Sequence, residues 1–163
     1  TNGALTNFLI SLSAHVEQQS FESVVGAYFH VLNDVERIGD HAENFHEIGV
    51  EMKGKGLVFS DVAKEEIRQM RDSIAQMLVL AKRAFEKLDK SCLPNLSALE
   101  NEVDGLKKTL TANHFARLAE GKCKVELSPY FSSTVAGLER VADHLVNVGY
   151  SILNPIGAQT EED

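Results

Sequence analysis

Between Phe21 and Ala42 the apolar residues recur every three or four positions, and the same spacing returns from Ile67 to Leu88 and again beyond Glu126. That period belongs to an amphipathic helix, and stretches this long leave no room for the two-residue alternation of a half-buried strand. Punctuation is sparse, with 3 prolines and 11 glycines in 163 residues. The spacing predicts a short helix over residues 4–18 and a long one over 21–52, broken by Lys53-Gly54-Lys55-Gly56. Ser60 is positioned as an N-cap, with Asp61, Glu65 and Glu66 at the positive helix end, for a helix running to about Lys90. Pro94 suits the first turn of the next helix, which ends at Gly121 as its C′ residue, and Ser97–Glu100 offers a capping box should it start a turn later. A last helix spans Glu126 to Leu153, stopped by Asn154-Pro155, and the polar tail 158–163 is expected to fray. The fold class is therefore all-α, an antiparallel helical bundle with short connections.

Composition narrows the function classes. Hydrophobic residues make up 44% of the chain, enough for a core. A net charge of −8 lacks the basic footprint of a nucleic-acid binder, and no such partner is expected. Two cysteines, Cys92 and Cys123, make no disulfide framework and point to a reducing compartment. The longest unbroken apolar run, Met77 to Ala81, is far too short to span a bilayer, which takes ~20 residues. Residue 1 is Thr, so the chain reads as processed or cut from a longer protein.

One segment occurs twice. Residues 36–44 read E-R-I-G-D-H-A-E-N and residues 139–147 read E-R-V-A-D-H-L-V-N, with five of nine positions identical at an offset of 103. Each copy lies past the middle of an expected helix, so a duplicated helix carries a duplicated task. At about 100° per residue, Val25, Phe29 and Leu32 fall within about 40° of Glu36, and Asp40 lies about 40° from it. Val135, Val146 and Leu153 stand likewise around Glu139, with Asp143 beside them. Glu100 and Asp104 repeat the spacing among Leu96, Leu99 and Val103. Three Glu-x-x-x-Asp pairs are thus expected to face helix seams.

Carboxylates four residues apart on a helix lie ~5–6 Å from each other and repel by roughly 3 kcal/mol at an effective dielectric near 20. Protons, cationic side chains or metal ions must offset that. Carboxylates from facing helices are the common construction of an iron or manganese site, which makes Glu36, Asp40, Glu100, Asp104, Glu139 and Asp143 the candidate ligands. A salt-bridge lattice is the competing reading, with Arg37 reaching Asp40, Arg140 reaching Asp143 and Lys107 reaching Asp104. His41 and His144 fall about 140° from Glu36 and Glu139, away from the stripe, and read as surface or interface residues. His114 lies on an apolar face as a core histidine. No Cys-x-x-Cys, P-loop or dinucleotide motif is present. A dinuclear carboxylate-bridged enzyme would use Glu-x-x-His, and no His stands three residues after Glu36, Glu100 or Glu139. A purely structural interaction module is the third reading.

The two duplicated segments resemble the signature segments of the PhoU family, two tandem three-helix bundles with one signature on the third helix of each. Asn113–Leu118 with Gly121-Lys122-Cys123 further resembles the PhoU-like tail of bacterial sodium/phosphate cotransporters. The resemblance implies a regulator of phosphate uptake and not an enzyme. Its partner would be a phosphate transporter, the membrane part of the same parent chain, with a homodimer also in view. It implies a cytoplasmic location at the inner face of the cell membrane and clusters of iron or other divalent metal on the Glu-x-x-x-Asp motifs. Position by position, Glu36, Asp40, Glu139 and Asp143 match the third-helix motifs, and Glu100 and Asp104 the second-helix motif of the second repeat. Residues 1–56 are then the C-terminal part of a first repeat and 57–157 a complete second repeat. With the other first-repeat ligands outside the chain, the metal constellation is expected to be incomplete or absent in this fragment.

Overall fold

The computed structural model describes residues 2–13 and 19–151. It is an all-α bundle: α1 (Asn2–Ser13), α2 (Gln19–Gly54), α3 (Asp61–Lys87), α4 (Leu93–Ala119) and α5 (Ser128–Ser151), with 3₁₀ turns at Lys90–Cys92 and Val125–Leu127 leading into α4 and α5. No helix is long and apolar enough to cross a membrane among the described residues.

The helix ends follow local chemistry. Ser60 caps α3, its Oγ accepting from the Ala63 N–H at 3.3 Å. Gly56 and Gly121 sit at φ +63° and +67° after α2 and α4. There they allow the paired terminal bonds of a Schellman ending, from Leu57 N to Met52 O at 2.9 Å and from Lys122 N to Arg117 O at 2.8 Å. Other ends depart from expectation or decide between alternatives. Helix α3 stops at Lys87 instead of about Lys90, because Leu88 turns left-handed and Asp89 caps the following 3₁₀ turn through the Ser91 N–H. The capping box at Ser97 is unused: α4 already starts at Leu93 with Pro94 in its first turn, and the Ser97 hydroxyl instead meets that of Tyr150 at 2.9 Å. Glu126 belongs to a 3₁₀ turn, and α5 starts at Ser128. Residues 14–18 of the first expected helix, the stop at Asn154-Pro155 and the tail lie outside the described residues.

Helix α5 is the centre of the bundle, packed against α2, α3 and α4. Phe131, Val135, Leu138, Ala142 and Leu145 form one face, buried in a core with Met70, Ile74 and Met77 of α3 and Leu96, Val103 and Leu110 of α4. Full burial of each large side chain contributes on the order of 1.5–3 kcal/mol. The opposite face of α5 meets α2 along Val31, Asp34, Ile38, His41 and Phe45, which alternate steps of three and four as in a coiled-coil seam.

This second seam is built twice from the same face. His41 and His144, equivalent under the 103-residue offset, lie ring to ring at 5.9 Å. Asp34 bonds to His144, and the corresponding pair, Gly137 and His41, also meets across the seam. Equivalent residues facing each other in this way define an approximate two-fold axis between the two histidines. Gly137 is small for a reason: a Cβ there would stand 2.7 Å from the Phe45 ring.

Candidate metal centre

Helices α4 and α5 run antiparallel, as the pairs Ser97 with Tyr150, Lys107 with Glu139 and His114 with Ser128 show. That register brings Glu100 and Asp104 of α4 up to Asp143 of α5, one oxygen of each lying within 4.8 Å of the others. All three are half-buried. Burial, followed by the charges of Asp104, Asp143 and Glu139, pushes the Glu100 carboxyl above the ordinary carboxylate range. Asp143 is pushed up likewise by burial, then by Glu139 and Asp104, against the opposing pull of Arg140 and His144. Negative charge therefore converges here faster than cations offset it.

Glu139 stands beside the cluster but is already engaged. Its Oε1 accepts an ion pair from Lys107 Nζ at 2.8 Å, while its Oε2 is buried without a hydrogen-bond partner among the described residues, 3.9 Å from Arg140 Nε. The salt-bridge lattice thus differs from its expected form. Lys107 crosses to Glu139 instead of closing on Asp104, and no ion pair to Glu100, Asp104 or Asp143 occurs among the described residues.

Glu36 and Asp40 are not brought to this cluster. Both are exposed, lining an open cleft of about 460 Å³ with Asn33 and Arg37. The expected seam for this pair is corrected by the phase of α2, which carries two apolar stripes. One stripe (Val31, Ile38, Phe45) lies roughly 180° from Glu36 and packs on α5. The other (Tyr28, Leu32, Val35) flanks Glu36, and Tyr28 and Val35 are 41% and 54% exposed. Helical periodicity ranks both stripes alike; only the partner helix decides between them.

For the same reason the two repeat histidines lie in a seam. His144 Nδ1 bonds Asp34 Oδ1 at 2.8 Å, an oxygen that also accepts from Asn147 Nδ2 at 3.2 Å. Asp34 is an interface residue that no motif marks, since its repeat equivalent is Gly137. His114 is the satisfied core histidine expected. It is stacked 4.6 Å from Phe131 with Nε2 3.0 Å from Ser128 Oγ, and burial lowers its pKa. A further pair that sequence did not single out, Arg117 with Glu66 at 2.8 Å, ties α4 to α3 against the Phe131 ring.

The PhoU domain model matches residues 67–152. The chain belongs to the PhoU family. The match takes in Glu100, Asp104, Glu139 and Asp143, whereas Glu36 and Asp40 lie before it. Among curated proteins, the chain is 28% identical over 116 residues to the phosphate-specific transport system accessory protein PhoU homolog 1 of Thermotoga maritima, covering 71% of this chain and 49% of that one. It thus spans about half the length of this relative. No solved structure matches.

Proposed function

We propose that this PhoU domain is a metal-capable regulatory module, not an enzyme, that controls phosphate uptake through contacts with a transport protein. The observation that carries the reading is the convergence of Glu100, Asp104 and Asp143, inside the stretch that matches the family, with too few cations beside them. The name of the Thermotoga relative, an accessory protein of phosphate-specific transport, supports the process. The domain is part of a larger membrane protein of the sodium/phosphate cotransporter type, at the cytoplasmic face, where it acts on the transporter.

The donors fit a hard cation: three half-buried carboxylates from two helices, with those of Glu100 and Asp143 raised by burial and neighbouring charge, suit iron or manganese better than a soft metal. Glu100, Asp104 and Asp143 would hold it, and Glu139 would join once Lys107 releases it. A bound ion would supply the positive charge that this seam lacks. Glu36 and Asp40 are the first-repeat counterparts of Glu139 and Asp143, beside the stripe of α2 on which Tyr28 and Val35 are exposed. Residues 1–56 accordingly read as the end of a first repeat, whose carboxylate cluster needs helices equivalent to α3 and α4, and 57–157 as the second repeat.

Elemental analysis of the full parent chain, purified without chelator and then loaded with iron or manganese, tests this. Bound metal is expected and should be lost in Glu100→Gln/Asp143→Asn, with regulation of phosphate uptake lost in cells carrying that variant. Metal at background after loading removes the metal reading, and unchanged regulation removes the link between the cluster and uptake.

A further inference from the structure

A second surface shares no residue with the carboxylate cluster. Helices α2 and α3 form the walls and α5 the floor of an open trough of about 700 Å³. Its interior is apolar, with Phe45, Ile48, Met52, Leu57, Ile67 and Leu138 along it. Its charged lining consists of Lys53, Lys64, Arg68 and Arg71 and includes no acid, in a chain with 24 acids against 16 lysines and arginines. Lys64, Arg68 and Arg71 form a line along one edge of α3, spaced by four and three residues, and Lys53 stands on α2.

We propose that this trough docks an amphipathic helix of a partner protein, its apolar stripe on the trough floor and its flanks carrying acidic residues. The trough has the apolar spacing that a helix in a groove requires, Phe45, Ile48 and Met52 recurring at three and four residues. Acidic side chains at the same spacing on the incoming helix would meet Lys64, Arg68 and Arg71 in register. Among the described residues those three cations form solvent-exposed pairs on their own helix, with Asp61, Glu65 and Asp72. Such pairs are worth little and exchange readily for a partner that also buries apolar area. Gly49 lies within the lining with open space where its Cβ would be, which admits close approach of a helix backbone. This names the chemistry of the partner in the regulatory contact proposed above, and rests on that reading only for the partner's biological role.

The test is fluorescence anisotropy with a labelled synthetic helical peptide bearing leucines at three- and four-residue spacing flanked by glutamates, titrated with the full chain. Saturable binding is expected, weakened about tenfold or more in Arg68→Glu/Arg71→Glu, both exposed positions, and by added salt. Gly49→Phe, which fills the trough without altering charge, should also abolish binding; circular dichroism checks that each variant folds, and the arginine pair decides should Gly49→Phe unfold. Glu100→Gln/Asp143→Asn should leave peptide affinity unchanged, so this result stands or falls apart from the metal reading. No saturable binding, equal binding of a peptide with lysines in place of the glutamates, or indifference to the arginine substitutions would overturn the proposal. So would phosphatidylglycerol vesicles binding through the same residues while the peptide does not bind.

Discussion

Glu100 and Asp143 are the residues whose energetics set the site apart from a solvated acidic surface. Their carboxyl groups are raised in the folded protein, so over the interval between ordinary carboxylate values and the raised ones the folded state holds more protons than the unfolded chain. Stability contributed by these groups therefore falls as pH climbs through that interval and stays reduced above it. Glu100→Gln/Asp143→Asn removes the repulsion at neutral pH. Melting in chelator at pH 7 should rise by about 2–4 °C, for relief on the order of 1 kcal/mol after solvent screening, and the gain should vanish near pH 4. A lower melting temperature at pH 7 would mean that the cluster is compensated after all. These residues can be read from sequence because α4 and α5 each place their carboxylate pair at the edge of a buried stripe. Glu36 and Asp40 carry the same motif, but α2 offers two stripes, and nothing in one helix tells which will find a neighbour. Asp34 has no motif at all.

At the scale of the helices, ends are readable where the chemistry is local, and contacts are not. Ser60, Gly56 and Gly121 act where the sequence puts them because a cap involves only the adjoining turn. Ser97 fails as a cap since Pro94 has already opened the helix. Close approach is a tertiary matter, and it separates glycines that look alike in sequence. A Cβ on Gly149 would meet the fully buried Leu96 at 2.5 Å, whereas one on Gly39 has open space. Urea denaturation should show Gly149→Ala destabilised by about 1–3 kcal/mol through overpacking, and Gly39→Ala stabilised by about 0.5–1 kcal/mol through helix propensity. Equal effects would mean that α4 and α5 yield more freely at that point than the buried Leu96 side chain suggests.

Across the whole molecule, the duplication visible in two nine-residue segments becomes a symmetry, with His41 and His144 on its axis. The sequence discloses the repeat but not that the repeated faces would meet each other. Nor does it disclose that Tyr28 and Val35 in the second apolar stripe of α2 would stand exposed while their equivalents on α5, Phe131 and Leu138, are covered. Native-state amide exchange is the measurement for this scale. Amides of α5 should exchange slowest, near the rate of global unfolding, and those of α1, with Leu5, Phe8 and Ile10 about half or more exposed, fastest. Early exchange in α5 would contradict its central place.

That central place has a kinetic consequence. Because α5 is enclosed by α2, α3 and α4, it has no route to open by itself: releasing it means loosening at least one of its neighbours. Glu139 and Asp143 ride on this helix, so any event that tugs at them reaches the other walls as a shared displacement and not as a local flicker. Opening of α5 is thus coupled to loosening of a neighbouring helix, whereas α1, whose packing is against α2, can part from the bundle by itself.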